Sequence, residues 1–302
     1  MPDLADLYPG YASRWISTTA GKIFARVGGS GPPLLLLHGH PQGNVMWHRV
    51  APLLAERFTL VIADLPGYGW SDAPAAQADH APYSKRAMAA AIVELMEALG
   101  FVRFDLAGHD RGGRVGYRLA LDHPGRLARL AVLDIVTTYD MWHRMDARLA
   151  ARAWHWTFLS LPAPFPETLI GHDPKFFFDS RAAAGSGAKS VAIFDPRALA
   201  HYHAAYSDPT RIAAMCEDYR AGRTTDLLHD EANRAVGDRI TCPVLALWGT
   251  TGLLANAGID ALAAWRDWAA DLRGLPIDSG HYLAEENPQA TAQALLDFFA
   301  AD

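Results

Sequence analysis

The stretch that decides the fold is residues 104–122, FDLAGHDRGGRVGYRLALD. Its apolar beginning predicts a buried strand, its end predicts a helix, and the pattern GHDRG at residues 108–112 lies between them. The two flanking glycines allow a sharp turn, so the central side chain is expected to stand at the strand end beside a helix N-terminus. Taken alone, this pattern leaves two roles open for Asp110: a nucleophile on a strand-to-helix elbow, or an ordinary helix cap.

The same design of an apolar run followed by a turn recurs along the chain. It predicts strands in the segments KIFARVGG (22–29), PPLLLLHGHP (32–41), FTLVIADLPGYG (58–69), RLARLAVLDIV (126–136), CPVLALWGT (242–250) and LRGLPIDSGH (272–281). A helical stretch at residues 83–100 lies between two of these strands, and an amphipathic helix at residues 286–300 follows the last one. Strands that alternate with helices imply the α/β class, with a mostly parallel central sheet and helices on both of its faces.

The middle of the chain has a different pattern. From about Val136 to Val236 the β-branched apolar runs disappear, and aromatic and helix-forming residues take their place. We therefore predict a helical cap domain at 136–236, inserted into a core domain that is made of residues 1–135 and 237–302. The stretch AAAGSGAKS at residues 182–190 is expected to be a flexible part of this cap.

The composition excludes several classes of protein. Apolar residues make up 50% of the chain and charged residues 20%, as in a globular enzyme, and the formal net charge is −6. This balance argues against binding to nucleic acid or to an anionic membrane. We expect a cytoplasmic protein, because the N-terminus lacks a signal-peptide pattern and no apolar run is long enough to span a membrane. Cys216 and Cys242 lack metal-ligand spacing and are expected to be reduced.

Two further residues at predicted strand ends form a catalytic arrangement with Asp110. Asp134 ends one apolar run and His281 follows another, which is the chain order nucleophile, acid and base of hydrolases with such an elbow. Each alone could be a turn former or a surface histidine, but three such coincidences at strand ends favour catalysis. The backbone N–H groups of His40 and Arg111 are predicted to form the oxyanion hole.

With these residues in place, the chain resembles the α/β-hydrolase superfamily along nearly its whole length, and within it the fluoroacetate dehalogenases. The motifs that carry the closer resemblance are GHDRGGR (108–114), LDI (133–135), WHW (154–156), CEDYRAG (216–222) and SGHYL (279–283). The resemblance implies a hydrolase that acts on carbon–halide bonds, forms a homodimer and uses no metal, nucleotide or redox cofactor. His40 departs from the family, in which an aromatic residue is commoner at this position.

The resemblance also implies how a small anionic substrate is held. Arg111 and Arg114 lie three positions apart at the start of one helix, and both are predicted to bind the substrate carboxylate. By resemblance, His155, Trp156 and Tyr219 bind the departing halide. Several N–H and O–H donors suit fluoride, which is a poor leaving group and is strongly hydrated in water.

The predicted reaction begins with attack by Asp110 on the α-carbon of a 2-haloacid such as fluoroacetate or chloroacetate, which forms an ester and expels halide. His281, oriented by Asp134, then activates the water that hydrolyses the ester and releases glycolate. One alternative is an epoxide hydrolase, which needs two cap tyrosines where this chain offers Tyr219 and His155. A second alternative is a binding protein that has this fold but no catalytic activity.

Overall fold

The computed structural model describes residues 4–300. Within them the strands are β1 (Ala12–Thr18), β2 (Gly21–Gly29), β3 (Pro33–Leu37), β4 (Thr59–Ala63), β5 (Phe104–His109), β6 (Leu127–Leu133), β7 (Val244–Gly249) and β8 (Leu272–Ile277). These eight strands form one sheet in the order β1-β2-β4-β3-β5-β6-β7-β8. The β1–β2 and β2–β4 pairs are antiparallel and the other neighbours are parallel, so the predicted mostly parallel sheet is confirmed.

The central strands are covered on both faces, which explains why their sequences are continuous apolar runs. Every residue from 34 to 37 in β3 and from 60 to 63 in β4 is fully buried. Strand β1 was not predicted, because its sequence ASRWIST contains no such run and its side chains are half-buried or exposed. A strand at the edge of the sheet needs only its partner β2 for pairing, and its sequence signal is correspondingly weak.

The helices are α1 (Ala51–Leu54), α2 (Lys85–Ala98), α3 (Arg111–Asp122), α4 (Thr138–His143), α5 (Ala147–Arg152), α6 (Trp154–Leu159), α7 (Phe165–His172), α8 (Pro174–Gly185), α9 (Pro196–Tyr206), α10 (Pro209–Arg223), α11 (Thr225–Val236), α12 (Leu253–Ala257), α13 (Ala261–Trp265), α14 (Leu283–Glu286) and α15 (Pro288–Phe299). Short 3-10 helices cover Ala5–Leu7, Asn44–Trp47, Ala81–Tyr83 and Val191–Ile193. The helices predicted at residues 83–100 and 286–300 correspond to α2 and α15.

In the described chain, the segment between β6 and β7 contains helices and no strand, from α4 to α11. Three of these helices begin in the same way, with an aspartate followed by a proline. The side chains of Asp173, Asp195 and Asp208 accept a hydrogen bond from a backbone N–H in the first turn of α8, α9 and α10. The proline that follows has no N–H to satisfy and fits the first helical position. These Asp-Pro starts divide the segment into short helices.

Helix α10 is central to this helical segment, because it contacts α6, α7, α9 and α11. The division of the chain into a core (1–135 and 237–302) and a cap (136–236) stays a prediction, and residues 1–3 and 301–302 of that core lie outside the described residues. Between residues 4 and 300, no helix has both the length and the apolar character needed to cross a membrane.

Candidate active site

Asp110 stands on a tight elbow between β5 and α3. Its backbone has φ 44° and ψ −115°, a conformation that a residue with a side chain rarely adopts. The glycines around it are required by close packing: a Cβ on Gly112 would lie 2.5 Å from the carbonyl oxygen of His38, and one on Gly108 would lie 2.5 Å from the backbone of Gly112. The strand, turn and helix that the sequence predicts around Asp110 are therefore present.

Asp134 and His281 meet at the same edge of the sheet, just beyond β6 and β8. His281 Nδ1 lies 2.7 Å from Asp134 Oδ2, and the other oxygen of Asp134 accepts a hydrogen bond of 3.1 Å from the N–H of Gly249. On the opposite side of the ring, His281 Nε2 lies 4.0 Å from Asp110 Oδ2. With the ring proton on Nδ1, Nε2 carries a lone pair that faces Asp110, as a general base for a water molecule requires.

The carboxylate of Asp110 is held in its ionised form. Burial alone would raise its pKa, but the nearby His281, His109 and Arg111 more than offset that effect and lower the pKa to about 2. The backbone N–H of His40 donates to Asp110 Oδ2 over 3.1 Å. The second predicted oxyanion donor, the N–H of Arg111, belongs to the residue directly after Asp110, at the start of α3.

Arg111 has a partner within the protein. Its Nε and Nη2 donate to the two carboxylate oxygens of Asp218 over 2.8 Å and 2.6 Å, a bidentate pair. Asp218 also accepts from Lys85 and, over 2.7 Å, from the hydroxyl of Tyr68, while Lys85 contacts Asp226 at 3.2 Å. Two buried cations therefore meet two buried carboxylates, and the positive charge of Arg111 is compensated without a ligand.

Arg114, one helical turn further along α3, has a different environment. Its Nη1 donates to the hydroxyl of Thr138 over 3.3 Å, its Nε has no partner among the described residues, and burial lowers its pKa. Its guanidinium carbon lies 4.5 Å from the ring centroid of Trp156. The sequence predicts the same role for both arginines, but their surroundings differ: Asp218 orients Arg111, whereas no ion pair among residues 4–300 involves Arg114.

The three residues predicted to bind halide are brought together from α6 and α10. The ring of Tyr219 lies edge-on to Trp156 at 5.9 Å and to His155 at 5.8 Å, measured between centroids. The guanidinium carbon of Arg111 lies 4.3 Å from the centroid of Tyr219, so this cluster touches the arginines of α3. Burial and the charge of Arg181 lower the pKa of His155 well below its usual value, which keeps its ring neutral.

The ring of His40 links the core strands to α9. The hydroxyl of Tyr206 hydrogen-bonds to His40 Nε2, and the His40 ring is parallel to that of His155 with centroids 6.2 Å apart. Burial, with the charge of Arg181, lowers the pKa of His40 to about 3. The departure from the family pattern therefore places a neutral histidine here, hydrogen-bonded to a tyrosine, beside the predicted halide site.

A cavity of about 270 Å³ joins these groups, and the predicted site residues that line it are Asp110, Arg114, Asp134, His155, Trp156 and His281. Arg111, Tyr219 and His40 are fully buried and contact residues of this lining from outside it. Residues that sequence reasoning did not assign are Asp218, Lys85 and Arg181. Asp218 lies inside the CEDYRAG motif, whereas Lys85 and Arg181 lie in unremarkable helical sequence that contains no signal for a site.

The loop that carries His281 is fixed from two sides. Its backbone N–H donates over 2.9 Å to the carbonyl of Gly185 at the end of α8, and its own carbonyl lies 2.7 Å from His109 Nε2. Glu286 Oε2 accepts from Gly187 over 2.8 Å and from Gly280 over 3.0 Å. The stretch at 182–190, predicted to be flexible, thus makes hydrogen bonds that hold the proposed base in position.

Comparison with known proteins places this architecture in a family. Residues 32–288 match the model of the α/β hydrolase fold family. The chain belongs to this family. Within it, this α/β hydrolase is 45% identical over 294 residues to a fluoroacetate dehalogenase from Burkholderia sp, with 97% of the chain and 95% of the relative covered.

One further sequence relative and one solved structure are also similar to the chain. A soluble epoxide hydrolase from Corynebacterium sp. (strain C12) is 32% identical over 275 residues, with 90% of the chain and 91% of the relative covered. Among solved structures, a protein from Nostoc sp PCC 7120 described as an α/β hydrolase superposes with a TM-score of 0.94 at 44% identity, covering 98% of this α/β hydrolase and all of that chain. By sequence identity, the chain is therefore less similar to the epoxide hydrolase than to the fluoroacetate dehalogenase.

The remaining observations concern possible metal ligands and the two cysteines. Within residues 4–300, no cluster of three or more His, Cys, Asp or Glu side chains has the arrangement of a metal site. Cys216 is buried and Cys242 is half-buried, and both are free thiols. Burial raises the pKa of Cys242 to about 11, so this thiol is protonated and unreactive near neutral pH.

Proposed function

We propose that this α/β hydrolase removes halide from small 2-haloacids, converting fluoroacetate or chloroacetate to glycolate. The observation that carries the proposal is a single cavity lined both by the ionised Asp110 and by Arg114, a buried cation without an acidic partner among the described residues. A nucleophile beside a buried guanidinium that makes no ion pair within the described residues fits a substrate that has both a carbon–halogen bond and a negative charge. The 45% identity to a fluoroacetate dehalogenase supports the same conclusion.

In the first step, a carboxylate oxygen of Asp110 attacks the α-carbon of the haloacid from the side opposite the halogen. The new carbon–oxygen bond forms an ester, and the carbon–halogen bond breaks with its electron pair, so that halide departs. Arg114 holds the substrate carboxylate, and Arg111 contributes Nη1, the nitrogen that its bonds to Asp218 do not use. Oriented binding of this kind lowers the barrier by placing the reacting atoms in line.

In the second step, His281 takes a proton from water through Nε2, and the hydroxide attacks the carbonyl carbon of the ester. The backbone N–H groups of His40 and Arg111 stabilise the oxyanion of the intermediate. Its collapse leaves Asp110 with one oxygen from water, and His281 returns its proton to the hydroxyl oxygen of glycolate. The second proton of that water passes from Asp110 to solvent, which restores the carboxylate. Asp134 stabilises the imidazolium that exists between these two transfers, over the 2.7 Å contact with Nδ1.

The departing halide is bound by His155, Trp156 and Tyr219, whose rings form one cluster above α3. The helical segment 136–236 acts as a cap domain, because it supplies these donors and excludes bulk water from the cavity. We propose further that the protein is a homodimer, which sedimentation equilibrium of the purified protein tests directly.

The experiment that tests the proposal measures halide release from fluoroacetate, chloroacetate and 2-chloropropionate side by side, with styrene oxide hydrolysis as the comparison. We expect turnover of the haloacids to exceed that of the epoxide, because a neutral epoxide leaves Arg114 unpaired. Higher activity on styrene oxide would favour an epoxide hydrolase, and no turnover of any of the four compounds would favour a binding protein.

A further inference from the structure

Arg181 is a third arginine at the cavity, and no part of the proposed reaction uses it. It lies on α8, is 8% exposed and lines the same cavity as Asp110 and His155. Its Nη2 donates to His155 Nε2 over 3.2 Å, while its Nε is buried without a partner among the described residues. None of the ion pairs between residues 4 and 300 includes Arg181.

A buried guanidinium without a counter-ion is unfavourable, since an ionised group taken out of water needs a charge of opposite sign or a full set of hydrogen bonds. Three buried arginines among residues 4–300 are compensated in that way: Arg111 by Asp218, Arg118 by Asp230, and Arg220 by Glu167 and Glu217. Arg114 and Arg181 line the cavity and are not compensated. Because Arg114 is already assigned to the substrate carboxylate, a second anion is needed to explain Arg181.

The contact with His155 defines which ring nitrogen carries the proton. A guanidinium can only donate, so His155 Nε2 must accept from Arg181 and the ring proton resides on Nδ1. His155 Nδ1 is buried and has no partner among the described residues. His155, a residue of the cavity lining, therefore has an N–H donor that makes no hydrogen bond within the described residues, with a positive charge on the other side of the same ring.

We propose that Arg181 and His155 form one anion-binding unit for the departing halide, in which Arg181 is a positioning residue that fixes the Nδ1–H tautomer of His155 and adds charge behind it. The inference rests on the proposed function. We assign this second anion as the halide because negative charge develops on it as the carbon–halogen bond breaks. Preorganised positive charge is most effective where charge develops in the transition state. Fluoride, the smallest halide and the one most strongly hydrated, depends most on this unit.

The test compares three variants by their rates with fluoroacetate and bromoacetate. Arg181→Met removes the charge and the donor, and Arg181→Lys keeps both. Arg152→Gln is the matched control, because Arg152 is exposed, lines the same cavity and has a positive charge, but no hydrogen bond joins it to His155 within the described residues.

We expect Arg181→Met to lower the fluoroacetate-to-bromoacetate ratio of kcat by roughly 10- to 100-fold, by analogy with the loss when the group that orients a metal-binding histidine is removed. Arg181→Lys should restore most of the ratio, and Arg152→Gln should leave it unchanged. An equal loss on both substrates would overturn the proposal and make Arg181 a structural residue. If the wild-type protein releases no halide from any haloacid, the proposed function fails instead, which is a distinguishable result.

A second measurement does not depend on turnover. Nitrogen-15 NMR of histidine-labelled protein reports which ring nitrogen is protonated, and His155→Gln identifies the signal. We expect His155 in the wild type and in Arg181→Lys to carry its proton on Nδ1, and Arg181→Met to lose this preference. A wild-type ring protonated on Nε2 would overturn the proposal even if Arg181→Met does not fold.

Discussion

Two regions of the cavity are built in different ways. We call Asp110, Arg114, Asp134 and His281 the floor, and His155, Trp156 and Arg181, together with Tyr219 packed behind them, the wall. Floor residues lie at the ends of β5, β6 and β8 or in the first turn of α3, where backbone geometry fixes them. Wall residues come from α6, α8 and α10, and ring packing with one Arg181–His155 hydrogen bond holds them together. The floor is suited to the covalent chemistry and the wall to selecting the leaving group.

The largest effect is expected on the floor, from Asp110→Asn. An amide is a far poorer nucleophile than a carboxylate, so halide release should fall to the background rate for every haloacid, as measured with a halide electrode. Asp105→Asn is the matched control, because this carboxylate lies on β5, the strand that leads to Asp110, and is buried away from the cavity lining. Appreciable steady turnover by Asp110→Asn would mean that the first step does not use this side chain.

Arg114→Ala tests whether the floor holds the substrate charge. Losing one partner of a desolvated charge pair typically costs ~2–5 kcal/mol, and we expect a loss of this size in kcat/KM for chloroacetate. Chloroacetamide, which is neutral, serves as the control substrate and should lose much less. Equal losses on the two substrates would show that Arg114 only supports the fold around Trp156.

Trp156→Phe tests the wall. The substitution keeps most of the bulk and removes the indole N–H, so defluorination should fall by roughly two to three orders of magnitude while debromination falls far less. Trp142→Phe is the matched control, because Trp142 packs edge-on against Trp156 and its indole N–H donates to the carbonyl of Gly222 over 3.0 Å. That control should lower the melting temperature without changing the halogen ratio. An unchanged ratio in Trp156→Phe would remove Trp156 from the halide site.

The smallest effect concerns stability at the point where Glu285 on α14 contacts Gln42 and the hydroxyl of Tyr202 on α9. Burial raises the pKa of Glu285 to about 8, above the value of about 4.5 for an exposed glutamate. The folded state therefore binds more protons than the unfolded state between these values, and this contribution to stability is lost as pH rises towards 8. We expect this one group to lower the stability of the wild type, relative to Glu285→Gln, on the order of 2–4 kcal/mol between pH 5 and pH 8.

Urea unfolding at both pH values measures that change. Glu285→Gln removes the titrating group and keeps its size, so the variant should lose less stability over this interval than the wild type. Asp105, whose pKa burial raises to about 6, titrates in both proteins and cancels in the comparison. Identical pH dependence in the two proteins would mean that Glu285 is ionised in the folded state.

The floor could be predicted from sequence because its residues follow short local rules. An apolar strand, a glycine-flanked turn and a helix start identify Asp110, and the ends of two later strands identify Asp134 and His281. The sheet follows from the same apolar runs, apart from β1, which lies at the edge and has no such run. Backbone geometry alone thus carries these predictions.

The wall is harder to predict, because its geometry depends on packing between helices that are far apart in the chain. Arg181 and His155 are 26 positions apart and are joined by one side-chain contact, for which helix periodicity gives no signal. The orientation of Arg111 depends on Asp218, which is 107 positions away. The resemblance identified His155, Trp156 and Tyr219, but only the three-dimensional structure reveals which arginines are paired.

The covalent ester on Asp110 is the central claim, and His281→Asn tests it most directly. The variant keeps the nucleophile and lacks the base, so the ester should form and then persist. After incubation with chloroacetate, intact-protein mass spectrometry should show one added carboxymethyl group, which peptide mapping assigns to Asp110. The same treatment of an Asp110→Asn, His281→Asn double variant should give no adduct. Halide release by His281→Asn without any adduct on Asp110 would contradict the account.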